Sequence, residues 1–477
     1  MLKSLLRYFY GRATMNKRPN ILFLMSDEHR PDIAGFAGDP VVRTPTLDWL
    51  AKTGVTFTNA YTPSPICVPA RQCMASGKLP KTCNCEGWID LKPGYMTFAR
   101  RFSQYAYNTV CCGKLHHLGP DMMQGWTHRP AGIGDLELAT SAIEGRIEAE
   151  FKRYERPFSD FKWDDIKEVK RAGIGRSYGC VKDEQATATA CDFIDEYFTS
   201  PTHDREKLHQ PLMLKVSLIQ PHYPYQTSEE KFGYYINRVK PFTNQQVFDH
   251  PFLSQRQVHI GNDVNEREAR RATATYYGMI QTIDEHYAQV IERLKYVGEN
   301  LDDWIIVYVS DHGELLGEHG IWEKQKFFEA SVRVPMIIRW PKGFSTECAG
   351  KVVDQNVNLC DLFATLCDLA GLEVPDGLDS RSLVPLIKGD ASNWSNETIS
   401  QFGTHNVMIK QDALKYQYYG SNGPEVLFDL ARDPAEMTNF IDDPQYADAL
   451  VKFRKRLATL GHGPNADVNY VNAGYCN

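Results

Sequence analysis

Asn20-Ile21-Leu22-Phe23-Leu24-Met25 runs directly into Ser26-Asp27-Glu28-His29. The apolar run is unbroken and too short for a free-standing helix. It reads as a strand buried on both faces, the type that belongs to a parallel sheet. The polar segment that ends it carries two carboxylates and an imidazole. In open α/β sheets the ligand crevice lies outside the carboxyl ends of the strands. The strand therefore delivers Asp27 and Glu28 to a candidate site.

The same arrangement recurs along the chain. Asn108-Thr109-Val110-Cys111-Cys112 precedes Gly113-Lys114, the apolar run 212–219 precedes Gln220-Pro221-His222, and 304–309 precedes Asp311-His312. Residues 55–61 read as one strand by alternation, and 335–340 as another. Helices are expected near 97–105, over 265–297, and over 358–370, where Gly371 stops the pattern; Thr44-Pro45 caps a further one. Alternation of strands and helices predicts an α/β fold, a mostly parallel central sheet with helices on both faces. Spans 150–182 and 227–262 read as insertions or lid loops. After Gly389 short strands at 398–402, 407–410, 415–419 and 426–430, closed by a helix over 443–460, predict a small α+β C-terminal subdomain with an antiparallel sheet. The expected division is an N-terminal extension (1–18), a catalytic domain (19–390) and the C-terminal subdomain (391–477).

Composition bounds the function. The chain has 477 residues, 42% hydrophobic and 24% charged, with a formal net charge of -7, ordinary values for a globular protein. An acidic chain without a basic run argues against nucleic-acid binding, so an anionic substrate needs a local positive pocket. No apolar run is long enough to span a bilayer, so no membrane partner is expected. The N-terminus lacks a cleavage site after an apolar core, which places the protein in the cytoplasm, with periplasmic export held open. The 12 cysteines read as reduced core thiols; Cys83-Asn84-Cys85 is too tight for a usual zinc pair.

Cys67-Val68-Pro69-Ala70-Arg71 is the other unusual stretch. With a helix starting near Pro69, Cys67 sits at or just before its N-terminus, where free N–H groups favour an anion. Proline suits the first turn. Arg71, one turn on, faces the same pocket and offers a planar fork to a tetrahedral oxyanion. Taken alone, Cys67 reads as a buried structural thiol. Asp27, Glu28 and Asp311 at one sheet edge would repel unless a cation neutralised them. Mostly oxygen donors plus the His312 imidazole suit Ca²⁺, Mn²⁺ or Mg²⁺; singly, Asp27 and Asp311 read as caps.

Cys67-Val68-Pro69-Ala70-Arg71 resembles the Cys-x-Pro-x-Arg signature of the type I, formylglycine-dependent sulfatases of the alkaline phosphatase superfamily. Ala75-Ser76-Gly77 stands where that family usually has Leu-Thr-Gly. Asp27-Glu28 and Asp311-His312-Gly313 are similar to its metal segments. Gly113-Lys114-Leu115-His116-His117-Leu118-Gly119 is similar to its Gly-Lys-x-His-x-Gly with one residue added. Gln220-Pro221-His222-Tyr223-Pro224 resembles Pro-His-x-Pro, and Gly320-Ile321-Trp322-Glu323-Lys324 resembles Gly-Leu-Trp-x-Lys, with Lys326 the lesser choice of lysine. The likeness extends in order over residues 18–460.

The resemblance implies hydrolysis of a small-molecule or saccharide sulfate ester. It implies that a formylglycine-generating enzyme converts Cys67 to an aldehyde whose hydrate is the nucleophile. One divalent metal, Ca²⁺ first and Mn²⁺ or Mg²⁺ next, would be held by Asp27, Glu28, Asp311 and His312. Arg71, Lys114 and Lys324 would hold sulfate oxygens, His116 the hydrate, and His222 would assist the leaving oxygen. Two rivals remain. Phosphonate monoester and phosphodiester hydrolases share the scaffold, but place Tyr and Thr where this chain has Lys114 and His116. An inactive sulfatase-like binding protein would have lost site residues. The alcohol, the metal and any homo-oligomer are left open. Trp88, Trp126, Tyr223 and Tyr225 are candidates for the leaving-group side or for packing.

Overall fold

The structure is a computed structural model that describes residues 18–132, 165–200, 210–242, 248–342, 349–421 and 423–464. All but Arg18 of the expected N-terminal extension lies outside these residues, as does the first half of the 150–182 span.

An eight-stranded sheet forms the centre. Its strands are β1 (Asn20–Asp27), β2 (Val55–Phe57), β3 (Asn108–Gly113), β4 (His128–Gly132), β5 (Leu212–Pro221), β6 (Trp304–Ser310), β7 (Met336–Arg339) and β8 (Lys351–Val353), in the order β8-β2-β7-β6-β1-β5-β3-β4. β6, β1, β5, β3 and β4 pair parallel. β7 runs against both of its neighbours, β6 and β2. β1 is central because both of its faces are apolar. Ile21, Phe23 and Met25 join a core with Phe98 of α3 (Phe98–Gln104) and Phe363 of α6 (Leu362–Leu369). Leu22 and Leu24 join another with Ala186 of α4 (Tyr178–Thr199) and Ile283 of α5 (Glu266–Tyr296). All five are fully buried, each stabilising the fold by about 1.5–3 kcal/mol.

Asn265 caps α5 in a reciprocal capping box with Glu268, and Val297 ends it. The expected bounds 265–297 are those of this helix with its caps. Other expectations need correction. Residues 55–61 are not one strand: Val55–Phe57 lies in the main sheet and Ala60–Tyr61 in a separate three-stranded one. β4 and β8 were not anticipated, because edge strands with exposed positions lack an apolar run. The two expected loop spans contain helices, at Asp165–Arg171, the start of α4, and Glu229–Tyr235. Thr44 does not cap α1 (Pro45–Thr53) with its side chain. Its hydroxyl is engaged by Gly35 N and Asp48. Asp284 of α5 instead accepts from Thr46 N at 3.1 Å and Leu47 N at 2.8 Å.

The C-terminal antiparallel sheet is present as β9 (Glu397–Phe402), β10 (Asn406–Gln411), β11 (Leu414–Tyr419) and β12 (Val426–Asp429), paired in sequence order. Phe453 and Leu457 of α7 (Ala447–Thr459) cover one face with Ile399 and Tyr416. Phe402, Met408 and Phe428 pack the other face against Phe327 and Phe328. Fully buried Lys415 bridges Glu329 at 2.9 Å and Glu436 at 2.6 Å.

Candidate active site

The strand register assembles the acidic centre. Ser26 of β1 pairs with Ser310 of β6, so the next residues, Asp27 and Asp311, stand level at the sheet edge. Ser310 Oγ accepts from His29 N at 2.8 Å and donates to His312 O at 2.8 Å, pinning the two strand exits together. Gly313 follows because a Cβ there would come within 2.0 Å of Ala330 O. On the other side, Gly113 of β3 pairs with Ser217 of β5. Its φ is +101° and a Cβ would lie 2.0 Å from Ser217 O, so only glycine lets the chain turn Lys114 into the site.

α2 (Cys67–Ser76) closes the pocket, with Ile66 as its N-cap residue. Cys67 is the first helical residue, two before Pro69. Its Sγ lies 3.2 Å from His312 Nε2 and 3.6 Å from Asp27 Oδ1. Burial and the Asp27 carboxylate push the thiol up to about 12, so an unmodified Cys67 is a protonated, weak nucleophile. His312 Nδ1 bonds Gly313 O at 3.0 Å. A carbonyl only accepts, so Nδ1 donates there and Nε2 is the ring nitrogen turned to the pocket.

Arg71 does not present its fork to open space. Nε donates to Asp311 Oδ2 at 2.7 Å, Nη2 to Asp27 Oδ2 at 2.9 Å, and Nη1 to Lys114 O and Ser217 Oγ. The fork expected to face a tetrahedral oxyanion is engaged here by the two aspartates, which it braces. Lys114 Nζ also sits on Asp27 Oδ2, at 2.7 Å. Burial opposes the Lys114 charge, but Asp27 outweighs it and the pKa is raised.

Glu28 departs from its predicted place. Its Oε2 accepts from Lys324 Nζ at 2.8 Å and lies 3.5 Å from His222 Nε2. Its φ is +68°, held by the Tyr276 hydroxyl on its carbonyl at 2.5 Å and Asp311 Oδ1 on its N–H at 3.1 Å. Burial drives its carboxyl up to about 8 against the pull of Lys324. The four predicted metal ligands thus divide. Donor atoms of Asp27, Asp311 and His312, with Cys67, lie within 4.8 Å of one another; those of Asp27, Glu28 and His222 form a second such group.

His222 donates from Nδ1 to Tyr223 O at 2.7 Å and stacks on Tyr223. Burial and Lys324 hold it well below the ordinary histidine range, so it is neutral. His116 packs edge-on against Trp88, and its Nδ1 is buried without a partner; burial and Lys114 keep it neutral as well. The additional His117 binds Met122 O at 2.8 Å, outside the acidic centre. Lys326 donates to Phe252 O and lies over that ring, whereas Lys324 is in the pocket. Trp126 and Tyr225 are core residues; Trp88 and Tyr223 flank the site.

Sequence reading missed several supports. Asp183 of α4 accepts from Ile219 N at 2.6 Å and Gln220 N at 2.8 Å, fixing the exit of β5 ahead of His222. Ser217 receives Arg71, and Gln72 of α2 donates to Asp90 at 3.1 Å. None has a local motif. Only Ser217 carried a signal, as a polar residue inside the apolar run 212–219.

A mostly parallel sheet whose strand exits gather carboxylates, an imidazole and cations around the first turn of a helix defines a hydrolase of the alkaline phosphatase superfamily. The Sulfatase family model matches residues 19–372, and the chain belongs to that family: it is a sulfuric ester hydrolase. A model described as N-sulphoglucosamine sulphohydrolase, C-terminal, matches residues 317–462. The chain is 28% identical to an arylsulfatase of Clostridium perfringens over 462 residues, covering 92% of this chain and 94% of that protein. It is 29% identical to a choline-sulfatase of Rhizobium meliloti, covering 90% and 83%. Among solved structures, a phosphonate monoester hydrolase of Agrobacterium radiobacter has a TM-score of 0.72 at 24% identity, covering 93% of this chain and 95% of that one. A protein solved with its substrate D-glucosamine-2-N,6-O-disulfate has a TM-score of 0.71 at 19% identity, covering 93% and 97%. These two likenesses show the shared fold.

Proposed function

We propose that this sulfatase cleaves its ester at Cys67, converted to formylglycine, with one divalent metal held by Asp27, Asp311 and His312. The observation that carries the reading is the convergence of these donors on Cys67, with the sulfur 3.2 Å from His312 Nε2. The residues fit a metal. Each aspartate gives one oxygen to Arg71 and keeps the other turned toward His312 Nε2, at 3.8 and 3.7 Å. Such spacings suit ligand bonds of about 2.1–2.5 Å to a shared ion. Glu28 is the candidate for a further ligand through Oε1, which is buried without a partner. Oxygen donors with one imidazole favour Ca²⁺, then Mn²⁺ or Mg²⁺. When bound, the metal supplies a Lewis acid for the sulfate and lowers the pKa of the hydrated aldehyde at position 67.

The chain's own residues do the rest. Lys114 and Lys324 line the pocket with buried ammonium groups that take the ester's equatorial oxygens as charge develops. Arg71 positions Asp27 and Asp311. His116, neutral beside Lys114, would hold the residue-67 hydrate by a hydrogen bond. His222 Nε2 would assist the departing alcohol oxygen; an incoming anion offsets Lys324 and lets the ring hold a proton. Lys114 and His116 favour sulfate over phosphonate esters, since the phosphonate hydrolases resembled in sequence place Tyr and Thr there. The named relatives act as an arylsulfatase and a choline-sulfatase; an aryl, choline or sugar sulfate is accordingly the substrate class.

The mass of the tryptic peptide spanning residue 67, read beside turnover of an aryl sulfate before and after chelation, tests the reading. An aldehyde at position 67, loss of turnover on chelation and its recovery with Ca²⁺ or Mn²⁺ are expected. An unmodified thiol in fully active protein, or undiminished activity in Cys67→Ala, rejects it.

A further inference from the structure

The cysteines that sequence spacing leaves without a purpose come together in the fold. Cys73, Cys83, Cys85 and Cys360 form one buried cluster with Leu91, flanked by Leu79 and Tyr95. Cys73 lies on α2, six residues beyond Cys67. Cys83 ends the short helix Pro80–Cys83 that follows. Their sulfurs are 3.6 Å apart. Cys85 Sγ faces Cys83 O at 3.7 Å, and Cys360 Sγ faces Lys78 O at 3.3 Å. All four are free thiols.

Two chemistries suit clustered thiols. A tetrahedral zinc site built from thiolates alone needs at least three sulfurs mutually close, about 3.8 Å apart. Among the described residues no three of these cysteines have sulfurs all within 4.8 Å of one another. The close approach is pairwise, and both partners sit on rigid helical turns. We propose that Cys73 and Cys83 are a redox-active dithiol that closes to a disulfide behind the catalytic helix.

The oxidant is a small peroxide, since Cys73 is fully buried and Cys83 is 4% exposed. The Cys83 thiolate attacks one peroxide oxygen, and the O–O bond breaks to give a sulfenic acid and water. Cys73 sulfur then displaces the sulfenic hydroxyl as a second water. Two thiols and hydrogen peroxide thus become one disulfide and two waters. Cys83 is the attacking sulfur because it is the member of the pair with any exposure, 4% against 0% for Cys73. The bond would close a short loop and tie α2, which carries Cys67 and Arg71, to its neighbour.

The test uses the whole enzyme, purified reduced and then exposed to hydrogen peroxide under native conditions. Trypsin cuts after Arg71, Lys78 and Lys81, separating peptide 72–78 from peptide 82–100. The expected product joins these two with the loss of two hydrogens. It disappears with dithiothreitol and is absent from Cys73→Ser and Cys83→Ala. Closing a loop of this length predicts a Tm rise of about 2–4 °C in the oxidised protein. Three results overturn the proposal: both thiols still alkylatable after peroxide, a bond within peptide 82–100 between Cys83 and Cys85, or a native mass showing the cluster occupied by zinc.

Discussion

Replacing Arg71 with methionine separates two roles that a cation in this pocket can have. In the structure Arg71 is 3% exposed, and Asp27 and Asp311 are fully buried. Asp27 keeps Lys114 at 2.7 Å in the variant. Asp311 loses its Arg71 donor at Oδ2 and retains the N–H groups of Glu28 and His312 at Oδ1. Breaking a buried ion pair from one side costs about 3–5 kcal/mol, because a charge is left unpaired. With unfolding entropy near 2.1 cal/mol/K per residue, a chain of this length changes Tm by about 1 °C per kcal/mol. Metal-free Arg71→Met is expected to melt about 3–5 °C below the metal-free parent. Bound metal supplies compensating charge, so Ca²⁺ or Mn²⁺ should narrow that gap, while turnover falls because the aspartates are no longer held. Thermal unfolding across a metal titration, with kcat and KM for an aryl sulfate, reads both effects. Unchanged Tm and metal midpoint together with a raised KM alone would refute the bracing role and return Arg71 to the sulfate.

His222→Ala should slow alkyl sulfates, whose leaving groups need a proton, at least about tenfold more than nitrophenyl sulfates; equal losses in a leaving-group series would remove His222 from that step. His319 is 2% exposed, stacked on Phe328 at 3.8 Å, and both of its ring nitrogens are buried without partners. Burial and Lys415 lower its pKa to about 4. It folds neutral and gains a proton near pH 6.5 when unfolded, so stability is full above about 6.5 and is lost as pH falls toward about 4, by about 3 kcal/mol. His319→Phe should flatten the Tm decline between pH 7.5 and 5 by about 2 °C, the part of that loss falling in this window; a parallel decline in both proteins would contradict this. Lys415→Met leaves Glu329 and Glu436 facing each other and should cost about 3–5 kcal/mol. Limited proteolysis is expected to reach the C-terminal sheet first, and wild-type resistance would argue that Lys415 does not secure it.

Much of this was legible. The apolar runs of β1 and β6, and that of β5 broken only by Lys215 and Ser217, read as strands buried on both faces, and the polar residues after them mark their exits. The limits of α5 were readable because Asn265 and Glu268 form a local capping box. The order of Cys67, Lys114, His222, Asp311 and Lys324 along the chain carried the family. Edge strands β4 and β8 were not legible, since an edge position needs no apolar run. The Asp284 cap of α1 was not legible either, because it comes from a helix more than two hundred residues away.

The sequence by itself determined the central buried strands, the long helix α5 and which polar residues stand at the sheet edge, because those follow from periodicity and short-range capping. Tertiary structure decided what each polar residue faces. Arg71 braces aspartates 44 and 240 positions away, Glu28 meets Lys324 across 296, and Cys73 meets Cys83. Such partners are contributed by separate elements. In a buried, low-dielectric pocket their charges and distances, rather than residue type, fix what each group can do.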